Sequence, residues 1–270
     1  MHDARLEEEL SGWHGVKTEP NSLPITGMNT VPIREQEAFA GRLLRTPNGE
    51  TVLDFGQNMA GYVEMKLTAH AGQKIKLLCG EALDENGNFT QENFQDRNRH
   101  KEGGTAQLLE LVCKEGENHY KPSFTIMGFR YAKVETDIDL TGAEFTAHAV
   151  YSEMPVTGSF ACGNADVDQL VKNSVWSQKG NFCDIPTDCP TRERAGWTGD
   201  MGGVHRDRPD PDGLLPGGGK MAGRVPPEPV PGWTHGKHCA AHQPPRLHDP
   251  HALHVGRLGR CRHSGALRSL

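Results

Sequence analysis

At 270 residues, with 35% apolar side chains and a mean hydropathy of −0.62, the chain can hold one large domain or two modest ones. It is nonetheless poor in material for a core along its whole length. The net charge of −6 argues against nucleic acid as a partner, and no apolar run reaches membrane-spanning length. Seven cysteines without C-x-x-C spacing favour neither a disulfide framework nor a zinc site, and the charged opening MHDARLEEELSGWHG has no apolar h-region, so a soluble cytoplasmic protein is the expectation.

Residues 1–40 carry weak signals, and the turn-rich TEPNSLPITGMNTVP reads as a connector. From about 40 to 152 the pattern is strand after strand. TVLDF leads through GQNMAG to YVEMKLTA, then the turn HAGQ and KIKLLCGEAL; DENGN is a further turn. TAQLLELVC, the break KEGEN, FTIMGFRYAKVET and EFTAHAVYS complete the series. Period-two geometry sets Phe129, Tyr131 and Lys133 on one face and Arg130 and Ala132 on the other. Short strands punctuated by Gly and Asn, without helical stretches between them, predict an antiparallel β-sandwich.

At CGNADVDQLVKNSVWSQKGNF the period changes. Val167, Leu170, Val171 and Val175 recur at helical spacing, with Asn164 as N-cap and Gly180 as C-terminal glycine cap, predicting a helix over 165–178. A proline-punctuated loop follows and contains DCPTRERAGWTGD, residues 188–200, with three acids, two arginines and a tryptophan. Three carboxylates this close repel one another, which favours keeping a proton on the least solvated of them. Glu193 is the natural proton donor, Trp197 offers a flat apolar face to a sugar ring, and Asp188 and Asp200 can accept from hydroxyls. Acid, platform and acceptors together suit glycoside hydrolysis. The same residues also fit a solvated loop in which Arg192 and Arg194 simply pair with the acids.

DFGQNMAG (54–61), FTIMGFRYAKVE (124–135) and the long block from SEMPVTGSF to GWTGD (152–200) resemble the bacterial α-L-rhamnosidases over roughly residues 28 to 201. The resemblance implies β-sandwich modules around an (α/α)6-barrel catalytic domain. It also implies removal of terminal α-L-rhamnose from glycosides or polysaccharides with inversion, without an organic cofactor, and it points to no metal-ligating residue. Position by position, Glu193 matches the general acid, Asp188, Trp197 and Asp200 match residues that hold rhamnose, and Arg192 flanks them. Residues 1–37 become a connector from a preceding module, 38–152 the β-sandwich domain, and 153–201 the start of the barrel with its acid loop. DFGQNMAG falls in the sandwich, with Gly56 and Gly61 serving turns. An inverting enzyme needs a second carboxylate roughly 6.5–9.5 Å away to activate water. In this family that base lies late in the barrel and has no counterpart here, which leaves a non-catalytic carbohydrate-binding sandwich as the alternative.

After Met201 the character changes. Residues 202–270 hold 10 Lys and Arg against 5 Asp and Glu, whereas residues 1–201 hold 19 against 30. The segment has 12 Gly, 10 Pro and 8 His but no Ile, Phe, Tyr or Asn, so no hydrophobic period survives. A disordered basic tail or a metal-binding tract of His235, His238, Cys239 and His242 would fit, although that spacing matches no zinc pattern. The genetic code offers a sharper reading. Read one nucleotide ahead, permitted codons for 203–216 yield VFIGTARTRMAFF, and those for 255–266 yield WADWGDAATVVP, a string that looks like a downstream stretch of the same family. The expectation is a frame slip near residues 201–203, with 202–270 an irregular out-of-frame tail.

Overall fold

The computed structural model describes residues 1–7, 15–20, 31–94, 107–156 and 158–197. The strands, in chain order, are β1 (His2–Asp3), β2 (Ile33–Ala40), β3 (Arg42–Arg45), β4 (Thr51–Ala69), β5 (Lys74–Gly80), β6 (Leu108–Val112), β7 (Gly116–Tyr120), β8 (Met127–Thr136) and β9 (Glu144–Ser152). The α-helix α1 (Ala165–Gly180) and the two-residue strands β10 (Phe182–Cys183) and β11 (Ile185–Pro186) follow. The first nine strands form one sheet, ordered β1-β6-β5-β8-β4-β9-β2, with β3 and β7 also paired to β4. The short β1–β6 pair is parallel and the other pairings are antiparallel.

β4 makes the sheet curl. TVLDF, GQNMAG and YVEMKLTA, read separately in the sequence, are one bent strand. Its first residues lie between β3 and β8, with Leu53 opposite both Leu43 and Ala132. Its last residues lie between β7 and β9, with Met65 opposite Tyr120 and Phe145. The register against β8 jumps between Asp54 and Met59, where a bulge lets the strand change direction. Gly56 stands in that bulge at φ +78°, a left-handed conformation that side chains disfavour. Asp54 fixes the bend: its Oδ1 accepts the Gly56 N–H at 2.8 Å, and its two oxygens accept Arg130 Nε and Nη2 at 2.9 and 3.1 Å. Gly61 serves no turn. It sits inside β4, where an added Cβ would lie 1.8 Å from the His148 carbonyl oxygen of β9, so glycine is required by close strand approach.

The two arms enclose one core. Leu53, Phe55, Met65, Ile75, Leu77, Phe129 and Phe145 belong to a single buried cluster, and the Phe55 and Phe129 rings meet edge to face at 5.6 Å, a favoured aromatic geometry. β8 crosses the bend, and its alternation changes there. Phe129 and Ala132 are both fully buried while Arg130, Tyr131 and Lys133 are half-exposed, so Phe129 does not share a face with Tyr131 and Lys133. Strict period two fails because the strand passes from one layer to the other opposite the Asp54–Met59 bulge. Two strands fall where the sequence read otherwise: β2 in the weak opening region, and β7 across the KEGEN break.

α1 begins as its sequence indicates, with the Asn164 side chain accepting from the N–H groups of Asp166 and Val167. Its end differs. Gly180 is the last helical residue, and Asn181 is the cap, its N–H bonded to the carbonyls of Gln178 and Lys179. No residue of α1 is buried. The helix touches the sheet through Trp176, edge-on to Phe39 at 5.8 Å, and Lys179, whose Nζ reaches Glu37 Oε1 at 2.5 Å and lies over the Trp176 and Tyr151 rings. Leu170 remains 63% exposed, so most of the apolar stripe that defines the helix faces no core.

Candidate active site

The segment after α1 is held to the sheet at two places. The first is a miniature hairpin: Phe182 pairs with Pro186 and Cys183 with Ile185, and Asp184 turns between them at φ +72°. The Asp184 N–H donates to the Oγ of Ser152 at 2.7 Å, and Ser152 is fully buried at the end of β9. Phe182 and Pro186 fill the space behind the turn.

The second is the loop itself. Asp188 closes it, its N–H donating to the Ala195 carbonyl at 3.2 Å and its Oδ1 accepting the Ala195 N–H at 3.1 Å. Cys189 Sγ donates to Asp188 Oδ2 at 3.2 Å and accepts the Glu193 N–H at 3.5 Å. Arg194 takes φ +52°, and its Nε donates to the Thr191 carbonyl at 3.1 Å. An eight-residue loop is thus tied by its own polar groups, the usual device where backbone cannot join a sheet. Pro190 and the buried Thr191 press against β8 at Gly128.

Glu193 projects from the tip. Its Oε1 lies 3.4 Å from Arg192 Nε and its Oε2 accepts Trp197 Nε1 at 3.3 Å. The carboxylate therefore sits between a guanidinium and an indole, with its side chain 35% exposed. Of the predicted site residues the structure brings Arg192, Glu193 and Trp197 into direct contact. Asp188 stands on the same loop but spends its bonds on Ala195 and Cys189. Asp200 and the His235–His242 tract lie outside the described residues. Arg194 bonds a backbone carbonyl rather than an acid, so only Arg192 follows the simple charge-pairing reading. A groove of about 460 Å³ runs along α1, lined by Phe160, Val171, Lys172, Val175 and Trp176 and by none of the acid-loop residues. Among the described residues no three His, Cys, Asp or Glu side chains are arranged to hold a metal ion.

Sequence reasoning missed the supports: Ser152, Gly128, Thr191, Cys189 and Gln107, whose buried carboxamide bonds both the N–H and the carbonyl of Gly128. One signal was available, since an isolated glycine inside a strand such as Gly128 often marks close backbone approach. Nothing in Gln107 or Ser152, read along the chain, distinguishes them from surface polar residues.

Residues 44–151 match the family model of the bacterial α-L-rhamnosidase concanavalin-like domain, and residues 155–205 match that of the bacterial α-L-rhamnosidase six-hairpin glycosidase domain. An α-L-rhamnosidase of Formosa agariphila is 32% identical over 215 residues, covering 74% of this chain and 22% of its own. The native α-L-rhamnosidase of Aspergillus terreus is 35% identical with a TM-score of 0.54, over 63% of this chain and 20% of that one. The Streptomyces avermitilis α-L-rhamnosidase complexed with L-rhamnose is 29% identical with a TM-score of 0.59, over 72% and 19%. The chain spans about a fifth of the length of the curated relatives it matches. With strands β4 to β8 of the curled domain in the first matching segment, and the helix and tied acidic loop in the second, the chain is a partial member of the bacterial α-L-rhamnosidase family.

Proposed function

We propose that this chain carries the acid half of an inverting α-L-rhamnosidase site, with Glu193 as the general acid that protonates the leaving glycosidic oxygen. The observation that carries the reading is the placement of Glu193 at the exposed tip of a tied loop, inside the segment that matches the six-hairpin glycosidase model. Arg192 and Trp197 fix the carboxylate. Trp197 and Asp200 would meet the sugar, and Asp188, whose carboxylate keeps lone pairs beyond those used by the loop, would add a hydroxyl acceptor. The substrate class is terminal α-L-rhamnose in glycosides or polysaccharides, supported by relatives named α-L-rhamnosidases and by the L-rhamnose in the Streptomyces avermitilis complex.

Inversion requires a second carboxylate on the opposite face of the sugar, roughly 6.5–9.5 Å from the acid. In the rhamnosidases that this chain resembles, that base lies late in the barrel, and no residue here matches it. The polypeptide alone is therefore inactive, and residues 202–270 are out-of-frame translation of a barrel that the gene once encoded or still encodes. Sequencing the gene from upstream of codon 190 to beyond codon 270 tests the second statement: codons incompatible with the shifted reading end it. For the first, the purified chain is expected to release no p-nitrophenol from p-nitrophenyl α-L-rhamnoside. The protein with the frame restored is expected to do so, and to lose about 10²–10⁴-fold in kcat on Glu193→Gln. An unaffected kcat in that variant removes Glu193 from the role of acid, and binding of rhamnosides by the chain without turnover would point to a carbohydrate-binding module.

A further inference from the structure

The sandwich and the acid loop meet at Gly128, and the chemistry of that contact is specific. Gly128 pairs with Ala60 of β4 on one side. On its other side β5 has already ended, since Gly80, the last residue of β5, pairs with Tyr131 three residues further along β8. The outward N–H and C=O of Gly128 would be orphaned there. Gln107 supplies both partners: its Oε1 accepts the Gly128 N–H at 2.9 Å, and its Nε2 donates to the Gly128 carbonyl at 2.9 Å. The same Nε2 also lies 3.3 Å from the Cys79 carbonyl. One carboxamide thus stands in for a missing strand, and it is buried at 4% exposure. Gln107 holds this place at φ +39°, a strained conformation for a residue with a side chain.

Above that clamp lies the loop. A Cβ added to Gly128 would come within 2.7 Å of both Pro190 Cγ and Thr191 Cγ2, the two residues that precede Arg192 and Glu193. Gly128 has no left-handed φ, so its backbone tolerates alanine and only the loop above it does not.

We propose that Gln107 and Gly128 are positioning residues for the acid: the carboxamide pins the β8 backbone flat, and the missing side chain lets Pro190 and Thr191 seat on it, which sets where Glu193 and Trp197 stand. The importance of this for rhamnoside hydrolysis rests on the function proposed for Glu193, but the geometry itself is testable without activity. The probe is the indole N–H of Trp197, whose hydrogen bond to Glu193 reports the tip of the loop. In proton–nitrogen correlation spectra of the full chain its signal is assigned with Trp197→Phe, and Glu193→Gln gives the signal that follows from removing the carboxylate. Gly128→Ala is expected to shift the Trp197 indole while amides of β4 and β9 keep their positions. Making room for the new methyl with Pro190→Ala and Thr191→Ser is expected to return the signal to its position in the Pro190→Ala/Thr191→Ser chain with Gly128 intact. An indole unmoved by Gly128→Ala overturns the proposal. So does a general collapse of the sheet signals that the smaller loop residues do not rescue, since Gly128 would then serve the sheet alone. Failure of the rhamnosidase reading shows elsewhere, as an unaffected kcat in the frame-restored Glu193→Gln protein, and leaves this result standing.

Discussion

The sheet and the helix that follows it both carry a regular set of apolar side chains but use them in opposite ways. Between Val52 and Tyr151 nearly every inward side chain is buried in one cluster. In α1 no residue is buried, and Val167, Leu170 and Val175 are all exposed. The sheet is complete because β4 joins both layers and lets one core serve them. The helix has a stripe for neighbours on a side where the described residues place none, and it holds to the sheet by Trp176 and Lys179 near one end. The segment that carries the acid shares both conditions, its hairpin held by Ser152 and its loop seated on Gly128, with the Glu193 tip open.

The comparison breaks most sharply in the core. Phe129→Ala removes a fully buried ring that meets Phe55, and large-to-small changes of this kind cost about 3–5 kcal/mol. Denaturant unfolding followed by tryptophan-independent far-UV dichroism should show that loss as a lower midpoint at an unchanged slope. A loss under about 1 kcal/mol would mean that the two arms do not share a core.

The bend comes next. The Arg130 guanidinium beside Asp54 holds its carboxyl below the ordinary carboxylate range, with the Gly56 N–H adding to the effect. A carboxyl with a depressed folded-state pKa stabilises the fold above its unfolded value, about pH 4, and that contribution fades as pH falls through the folded value. Arg130→Met should therefore cost about 2 kcal/mol at pH 7. The gap between variant and parent should narrow as pH drops below about 4. A gap that stays constant down to acid pH would show that Arg130 acts through its packing over Tyr131 rather than through Asp54.

These two regions were legible in the sequence to different depths. The strands announced themselves because period-two patterns and Gly or Asn turns are local. What escaped was the continuity of β4, since GQNMAG reads as a turn when only neighbours along the chain are considered and becomes a bulge only when β8 lies beside it. The face of Phe129 failed for the same reason. Glu193, Arg192 and Trp197 were legible as a cluster because thirteen residues hold them all. Their supports were not, because Gln107 and Gly128 lie more than sixty residues earlier and gain meaning only from the fold. Asn181 displaced Gly180 as the cap because the chain turns at once into the Phe182–Pro186 hairpin, whose Thr187 N–H needs the Asn181 carbonyl at 2.8 Å.

The smallest effect on stability tests the helix, and it separates exposure from anchorage. Leu170→Gln exchanges an exposed apolar side chain for a polar one of similar helix propensity, so the unfolding free energy should stay within about 0.5 kcal/mol of the parent. Its effect should appear in association instead, because Leu170 stands on the exposed stripe with Val167, and contiguous apolar surface promotes self-association. Light scattering over a concentration series should show a smaller average mass for the variant. Trp176→Ala supplies the contrast, since it removes the ring that meets Phe39 and lies under Lys179, a contact worth about 1 kcal/mol beyond its buried area. It should lower helical dichroism while the sheet signal persists. Were Leu170→Gln to destabilise the chain as much as Trp176→Ala does, the stripe would have a partner in solution, and α1 would belong to a packed layer rather than to an open edge.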